Sequence, residues 1–544
     1  MLAYRLSVTQ HAGATLPEFS LRETKKEHLN RIQINIKHFF IMKRTSYILS
    51  IFFTTIILAL TACTSHPDVP SNVEKAGTLP DIYPDYCNVT VPCNIAPLNF
   101  MLTDEAFDEC VARITTPDGN STTYGDGRKV MIPQDEWQDI LAAAKGKSIT
   151  VEVWGKKASE WLAFNKFRIN VASDSIDGYI SYRLIEPSYV LYNYMEIAQR
   201  NISNFEESTV FNNMVACNDP KGQCINCHSY QNYRTDNMLF HVRVTNGGTV
   251  IVSDSNMKKV DLKRDYTISA GVYPTWHPTE KLIAFSTNTT RQDFHTANKN
   301  KTEVFDHASD LILYDVESDS VSIICADTTR LEVFPAWSND GRYLYYCSTL
   351  SDSVKHDIRK NYQNLHYNLY RRTFDAKTRQ FGEEELVYDA ASNGRSVSLP
   401  RVSPDGRHVI FAESAYGCFN IWHYDADIKI IDGPVADTAA PLYPKEELKG
   451  TLALFNSKDF ADSYPTWSSN GKWIMCASRR DDGNYSRVYI AYFDGKKAHK
   501  AFLLPQRDPE QNSIFLKSYN RPEFMVEPIK QSIQDFKQVV AKGN

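Results

Sequence analysis

The sequence lacks the short motifs that mark the common enzyme classes. It contains no G-x-S-x-G nucleophile elbow, no phosphate-binding P-loop, no dinucleotide fingerprint and no H-E-x-x-H metal motif. These absences exclude serine peptidases with a nucleophile elbow, P-loop enzymes and metalloproteases of that type. They favour an electron carrier or a binding scaffold over an enzyme.

Excess positive charge is also missing. The chain of 544 residues has 60 basic and 65 acidic side chains, and the part from Cys63 onward has 52 and 62, a net charge of −10. This balance argues against nucleic acid as a partner and against a basic patch that holds anionic lipid.

The region around residue 50 has the build of an export signal. Lys43 and Arg44 precede an apolar run over residues 48–60 that no acidic residue interrupts and that is short for a membrane span. The run ends in "LTAC", which resembles the lipobox of bacterial lipoproteins. The resemblance implies that residues 42–62 are a signal peptide and that lipid on Cys63 anchors the protein. The alternative is an uncleaved anchor with an incidental Cys63.

The residues on either side of this signal have different roles. Residues 1–41 are polar and mixed in charge, and Met42 begins a complete signal, so residues 1–41 are predicted to lie upstream of the true start. Residues 63–82 are rich in Pro, Ser and Asp and predict a tether. By analogy with lipoproteins, Thr64 after the lipid cysteine favours the outer membrane, with the protein facing the periplasm of a bacterial cell envelope.

Residues 83–173 predict a small β-rich domain. The segments "SITVEVWGK" and "FRINVAS" alternate apolar and polar residues, as half-buried strands do. The segment "PQDEWQDILAAAKG" predicts one short helix that ends near Gly146. We expect a β-sandwich-like fold for this domain.

One pattern recurs in the second half of the chain. Its four copies are "YPTWHPTEKLIAFST" from Tyr273, "FPAWSNDGRYLYYCST" from Phe334, "LPRVSPDGRHVIFAES" from Leu399 and "YPTWSSNGKWIMCASRR" from Tyr464. Their prolines are spaced 61, 65 and 65 residues apart. A repeat of this length holds about four short strands, which is one propeller blade. Three copies also carry an Asp-Gly or Asn-Gly turn, where the backbone needs a positive φ.

These repeats resemble the WD-like repeats of TolB-type β-propellers over roughly residues 250–500. The resemblance implies a mainly β fold with a propeller over residues 174–520. Dividing the length of this region by the repeat length, with an insertion allowed for, gives five to seven blades, and we predict six or, alternatively, seven. It also implies a role in the cell envelope through contacts with other proteins. Residues 521–544 place apolar side chains on one helical face, so we expect a C-terminal helix that packs on the propeller.

A separate motif lies between the first domain and the clear repeats, in a predicted insertion over about residues 211–245. Cys224, Cys227 and His228 form a C-x-x-C-H motif, the attachment site of c-type haem. One turn of helix would place both sulfurs under the haem vinyl groups, and His228 would be the proximal iron ligand. Export agrees with this prediction, because haem is attached covalently outside the cytoplasm.

Other interpretations of the motif compete. A structural zinc site would need two more ligands, which Cys217 and His241 could supply at an irregular spacing. A thioredoxin-like redox pair would need a βαβ setting, which is missing. A small disulfide or a plain structural loop are the remaining alternatives.

The sixth iron ligand is open at this stage. Met238 and His241 are the leading candidates, with Met214 and Met257 behind them, and a five-coordinate iron is a further alternative. In a strand, Met238 and His241 would lie on opposite faces, so only one of them could reach the iron.

The sequence therefore predicts an envelope-anchored propeller lipoprotein that carries haem c and transfers single electrons to an unidentified redox or envelope protein. The alternative is a TolB-like interaction scaffold without a redox role. A peroxidase-like haem enzyme is a weaker third hypothesis, which would need an open iron position.

Overall fold

The fold is built almost wholly from β-strands. The computed structural model describes residues 66–186, 194–219, 222–351, 357–433 and 444–542. Two compact units divide the chain, residues 1–66 and 67–544, and the described fold belongs to the second. The predicted signal at 42–62, the upstream stretch 1–41 and Cys63 lie outside the described residues. No helix in the described ranges is both long and apolar enough to cross a membrane.

The first part of this unit is a small β-rich domain. Its elements are β1 (Val73–Lys75), β2 (Ile82–Tyr83), β3 (Thr90–Val91), β4 (Phe100–Leu102), β5 (Glu109–Thr115), β6 (Ser121–Tyr124), β7 (Lys129–Val130), α1 (Gln134–Ala144), β8 (Ser148–Lys157), β9 (Glu160–Ala163) and β10 (Phe167–Val171). Seven strands form one sheet in the order β1-β9-β8-β10-β3, with β5 between β8 and β6, and β2-β4-β7 form a second.

The two predicted strands and the helix of this domain are confirmed. In β8, the side chains of Ile149, Val151 and Val153 alternate into the core. Helix α1 ends before Gly146, whose φ of 72° suits a residue without Cβ. The larger sheet contains the parallel pairs β1–β9 and β3–β10, which a purely antiparallel sandwich would lack. Strand β1 lies within the predicted tether, where Val73 pairs with Trp161.

Six antiparallel sheets make up most of the remaining described residues. Their strands are β11 (Tyr179–Ile185), β12 (Met195–Asn201), β13 (Glu207–Asn212), β14 (Gln223–Gln231), β15 (Arg234–Val244), β16 (Gly248–Ser253), β17 (Asn256–Val260), β18 (Val272–Trp276), β19 (Leu282–Phe294), β20 (Thr302–Asp315), β21 (Ser320–Cys325), β22 (Arg330–Trp337), β23 (Tyr343–Leu350), β24 (Asn368–Asp375), β25 (Gln380–Tyr388), β26 (Ser396–Val402), β27 (His408–Ser414), β28 (Asp427–Asp432), β29 (Asp462–Trp467), β30 (Trp473–Ser478), β31 (Arg487–Tyr492), β32 (Phe502–Leu503) and β33 (Ser518–Met525). Short helices α2 (Ile358–Asn361) and α3 (Gln511–Ile514) and the longer α4 (Ile533–Ala541) complete the fold.

In five of the sheets the strands follow the chain outward from the inner strand, which is the first one in each order given below. In the remaining sheet the inner strand is β33, near the C-terminus, and β11 to β13 follow outward. The orders are β33-β11-β12-β13, β14 to β17, β18 to β21, β22 to β25, β26 to β28 and β29 to β32. The strands β14, β18, β22, β26, β29 and β33 contact one another in that succession, and β33 also contacts β14. Neighbouring sheets thereby cover the apolar faces that a lone sheet would expose. The described fold is mainly β and propeller-like, which confirms the coarse part of the predicted class.

A β-bulge recurs in every one of these inner strands. A residue other than glycine has a positive φ of 50–56° at each bulge: Cys227, Tyr273, Phe334, Leu399, Tyr464 and Arg521. Strand register shifts at each of these positions. Proline follows in five cases, and His228 follows in β14. The recurring "YP", "FP" and "LP" of the sequence therefore mark one structural feature.

The predicted C-terminal helix is shorter than residues 521–544. Residues Ser518–Met525 form strand β33, because they pair with β11 and carry the same bulge before Pro522. Helix α4 begins after Ser532, whose side chain accepts a hydrogen bond from the Asp535 amide in a capping box. Phe536 of α4 is buried, as predicted, and packs edge-to-face on Phe240 of β15.

The segment 211–245, predicted as an insertion, is an integral part of the sheets. Strands β14 and β15 pair along most of their length and form the inner half of a four-stranded sheet. The C-x-x-C-H motif therefore lies on an inner strand.

Candidate functional site

A cavity of about 290 Å³ lies against the bulge of β14. Cys224, Cys227 and His228 all line it, together with side chains from β11, β18, β29 and β33. The structure thus brings the three residues of the predicted motif to one cavity.

The bulge explains how three such side chains share a cavity. In a regular strand, residues 224 and 227 would point to opposite faces, since side chains alternate. The register of β14 on β15 shifts between Asn226 and Ser229, and Cys227 adopts a φ of 56°. The motif is therefore a bulged strand, and the predicted turn of helix is absent because Cys224 pairs with Arg243 and Ile225 with Val242.

His228 is fully buried and neutral. Neither ring nitrogen has a hydrogen-bond partner of normal geometry. Burial holds the pKa of His228 well below its usual value, the charges of Arg521 and Arg183 lower it further, and the nearby backbone of Ser181 opposes the shift only in part. An unpaired buried polar group costs about 1–3 kcal/mol. A ligand to the imidazole would offset that cost.

Both cysteines of the motif are free thiols. Cys227 is buried and Cys224 is partly buried. Burial raises the pKa of Cys224, and the charges of Arg183 and Arg243 oppose the shift. The Cys224 sulfur accepts a weak hydrogen bond from Asn226 Nδ2 at 3.9 Å.

Four arginines give the cavity a basic wall: Arg183, Arg243, Arg479 and Arg521. Glu186 is the only carboxylate among the described lining residues. Arg521 already engages Glu523, with 3.4 Å between Nε and Oε1. The cavity is therefore positively charged.

Aromatic rings form much of the rest of the wall. Tyr273, Phe419, Trp422 and Tyr464 line the cavity. The guanidinium of Arg479 lies 3.3 Å from the centroid of the Trp422 ring, in a cation–π contact. The cavity can hold a ligand that combines flat apolar surface with negative charge.

A long hairpin covers one side of the cavity. Strands β19 and β20 pair out to Phe294 and Thr302, and they are the longest strands of the six sheets. We call this extension, residues 288–308, the arm; its Thr290, Gln292 and Val304 line the cavity.

Buried polar contacts hold the arm in place. Glu303 Oε2 lies 3.0 Å from His423 Nε2, and the Tyr416 hydroxyl donates to Glu303 Oε1 at 2.7 Å. Both Glu303 and His423 are buried. The sequence predicts neither the arm nor this cluster, because no repeat motif marks residues 288–308.

The predicted distal ligands do not line this cavity. Met238 is fully buried in the core beside Phe240, and His241 Nδ1 lies 3.1 Å from Thr249 Oγ1. Met195, which was not among the predicted distal ligands, does line the cavity.

The two additional zinc ligands that the sequence offered are not at this cavity. Neither Cys217 nor His241 lines the cavity. Within the ranges that the structure describes, no group of three or more His, Cys, Asp or Glu side chains is arranged to hold a metal ion.

No protein-family model matches the sequence, and no curated protein matches it. Similar solved structures include the β-propeller domain of the Trilobed protease from Pyrococcus furiosus, with 10% identity, 67% of this chain and 96% of that chain covered, and a TM-score of 0.31.

Two further similar structures are the Cps50 (Swd1) β-propeller domain of Myceliophteria thermophila and a DUF4784 family protein from Bacteroides caccae. Both are 9% identical; the matches cover 52% and 79% of this chain and 85% and 97% of the other chain, with TM-scores of 0.28 and 0.29. Similarities this weak carry no functional conclusion, and the propeller-like fold stands on the sheet topology.

Proposed function

We propose that the protein is a closed, six-bladed β-propeller lipoprotein that carries a covalently attached haem c in the cavity beside His228. Its role is one-electron transfer, which is the chemistry that the group supplies when bound. The six inner strands in contact and their six matching bulges support the blade number.

The observation that carries the proposal is the buried, unpaired imidazole of His228 beside two free thiols. The fold does not need a histidine there, since five of the six inner strands have proline at that position. Cys224 and Cys227 would form the two thioether bonds, and His228 would be the proximal ligand. The neutral state of His228 suits a ligand to iron, which needs a free lone pair.

The protein's own side chains would also set access and charge. The basic wall, including Arg183 and Arg521, suits an acidic group, and the aromatic wall excludes water from a flat ring. Met195 replaces Met238 and His241 as the residue to test for the sixth position, since it lines the cavity.

The remaining features of the proposal come from the sequence. Lipid on Cys63 would anchor the protein in the cell envelope, with the outer membrane favoured and the propeller in the periplasm. The partner would be a redox or envelope protein.

A specific observation favours a second candidate, a TolB-like interaction scaffold without haem. The bulge at Cys227 is the same bulge that the other five inner strands form without cysteine. The fold therefore explains why a bulge lies at residue 227. It does not explain why cysteine and histidine, rather than other residues, occupy this bulge.

Expression of the full chain in a host with cytochrome c maturation machinery separates the two candidates. We expect the intact mass of the purified protein to include one haem and a denaturing gel to stain for haem. The double variant Cys224→Ala/Cys227→Ala should lose both signals. The matched control Cys93→Ala, in the first domain, should keep them. An unmodified mass for the natural chain would reject haem attachment and leave the scaffold.

A further inference from the structure

Among the described residues, the arginines of the cavity outnumber its carboxylates. Four arginines and one glutamate line it. Within the described ranges, Arg183 and Arg243 form no ion pair with a carboxylate, whereas Arg521 does. Among the described residues, the half-buried Arg183 and the exposed Arg243 therefore have no protein anion beside them.

Arg183 is the most informative of these groups. Its Nη1 makes only a long contact of 3.5 Å to the carbonyl of Ile225, and its buried Nε has no partner. Arg183 is half-buried, so the cost falls on the buried Nε–H rather than on the whole charge. A carboxylate is the acceptor that a guanidinium pairs with best. A bound anion would satisfy this side chain.

The rings around the arginines restrict the ligand further. Tyr273 belongs to the bulge of β18 and Tyr464 to the bulge of β29. Phe419 packs beside Tyr273, with 6.3 Å between ring centroids. Flat apolar surfaces of this kind favour a ligand with a planar ring. A small inorganic anion would leave them in contact with water.

We propose that the cavity recognises carboxylate groups carried on a planar ring system, with Arg183 and Arg243 as the carboxylate-binding residues. The inference deepens the proposed function and rests on this cavity being its ligand site. It does not require covalent attachment. The carboxylates can belong to a porphyrin or to a small aromatic acid, and the chemistry that is recognised is the same.

The test uses the full chain with Cys224→Ala and Cys227→Ala, so that no thioether can form. Protoporphyrin IX is titrated against this protein by porphyrin fluorescence at fixed salt, beside its dimethyl ester, which keeps the ring and lacks the charges. We expect the acid to bind at least about tenfold more tightly than the ester.

Arginine variants identify the binding residues. Adding Arg183→Gln or Arg243→Gln should weaken binding of the acid about tenfold and leave the ester unchanged. Arg168→Gln, at an exposed position of the first domain, is the matched control and should change neither. Thermal midpoints within about 2 °C of the parent would show that each variant is folded.

Competition distinguishes the two sources of carboxylate. Benzoate that displaces protoporphyrin IX while benzamide does not would identify a small aromatic acid as a sufficient ligand. Failure of benzoate with tight binding of the porphyrin acid would identify the larger ring. Both results support carboxylate recognition. Equal affinity for acid and ester, or no effect of either arginine variant, would overturn it. The haem mass of the natural chain is measured separately, so each proposal can fail alone.

Discussion

His228 occupies a backbone position that proline holds in the other five inner strands. The residue before it, Cys227, has the same positive φ as its counterparts. A positive φ at a bulky residue is strained and persists only where the surroundings impose it. The backbone at residue 228 is therefore already shaped for proline, and the imidazole is a departure from the pattern of the fold.

Replacing His228 with proline should stabilise the protein. We expect His228→Pro to raise the free energy of unfolding by about 1 kcal/mol, because proline restricts the unfolded chain and no unpaired imidazole is buried. His228→Ala is the control, since it removes the imidazole without restricting the unfolded chain. It should therefore raise the free energy of unfolding by less than His228→Pro does. Urea denaturation followed by tryptophan fluorescence measures both. A loss of more than about 1 kcal/mol for His228→Pro would contradict the equivalence of the six bulges.

The same equivalence was present in the sequence but is hard to see there. Each bulge starts a four-residue pattern that ends in a large apolar side chain, and the six copies are "CHSY", "YPTW", "FPAW", "LPRV", "YPTW" and "RPEF". The four middle copies share a proline and a following apolar strand, and three of them add a glycine turn, so the sequence predicts these four copies. The first copy was interpreted through its cysteines alone, and the last through its helical neighbour, because neither has the full pattern.

At the scale of elements, the arm is the feature that departs most from a regular blade. Strands β19 and β20 continue past their sheet and reach the loop of residues 415–424 and the segment that contains α2. On the α2 side, the ring of Phe305 stacks on Tyr362 with 5.3 Å between centroids. The arm is therefore held from two directions over one wall of the cavity.

The sequence of the arm, "NTTRQDFHTANKNKTEVFDHA", does not predict this position. A strand is predicted from apolar residues that alternate onto a buried face. Most of the arm lacks this pattern, because polar contacts stabilise it instead. The blade strands Tyr343–Leu350 and Trp473–Ser478 were predictable because the core covers them. Strands whose buried face is apolar can therefore be predicted from this sequence. The arm cannot, because the buried carboxylate of Glu303 holds it in place.

Glu303 should control how firmly the arm is held. Glu303→Gln keeps the shape but removes the charge that accepts from Tyr416 and faces His423, which should weaken docking by about 2 kcal/mol. Hydrogen exchange followed by mass spectrometry should then show about thirtyfold faster exchange in residues 288–308.

A surface ion pair on the same arm provides the control. Asp293 lies 3.2 Å from the exposed Arg359, and such pairs contribute about 0–1 kcal/mol. Asp293→Asn should therefore leave exchange in the arm nearly unchanged. Equal effects of Asp293→Asn and Glu303→Gln would mean that the buried cluster does not anchor the arm.

At the scale of the whole molecule, the two ends of the propeller-like region meet in one sheet. Strand β33, near the C-terminus, pairs with β11, which is the first strand of the region. It contacts both β29 and β14. The sheet of β11, β12 and β13 therefore lacks its inner strand until β33 pairs with β11. Sequence patterns are local, so this long-range pairing could not be predicted from them.

This pairing predicts two very different outcomes for two truncations. Ending the chain after Gln531 removes α4, exposes the apolar groups that Phe536 covers, and keeps β33; we expect a lower thermal midpoint and one cooperative transition. Ending it after Lys517 also removes β33 and leaves β11 as an open inner edge. Unpaired inner backbone groups and uncovered apolar faces should then abolish the cooperative transition and promote aggregation.

Differential scanning calorimetry and size-exclusion chromatography compare the two forms. If the form that ends at Lys517 melted cooperatively at the midpoint of the longer form, then β33 would not be needed to complete the sheet of β11. That result would contradict the closed, six-bladed propeller that we propose.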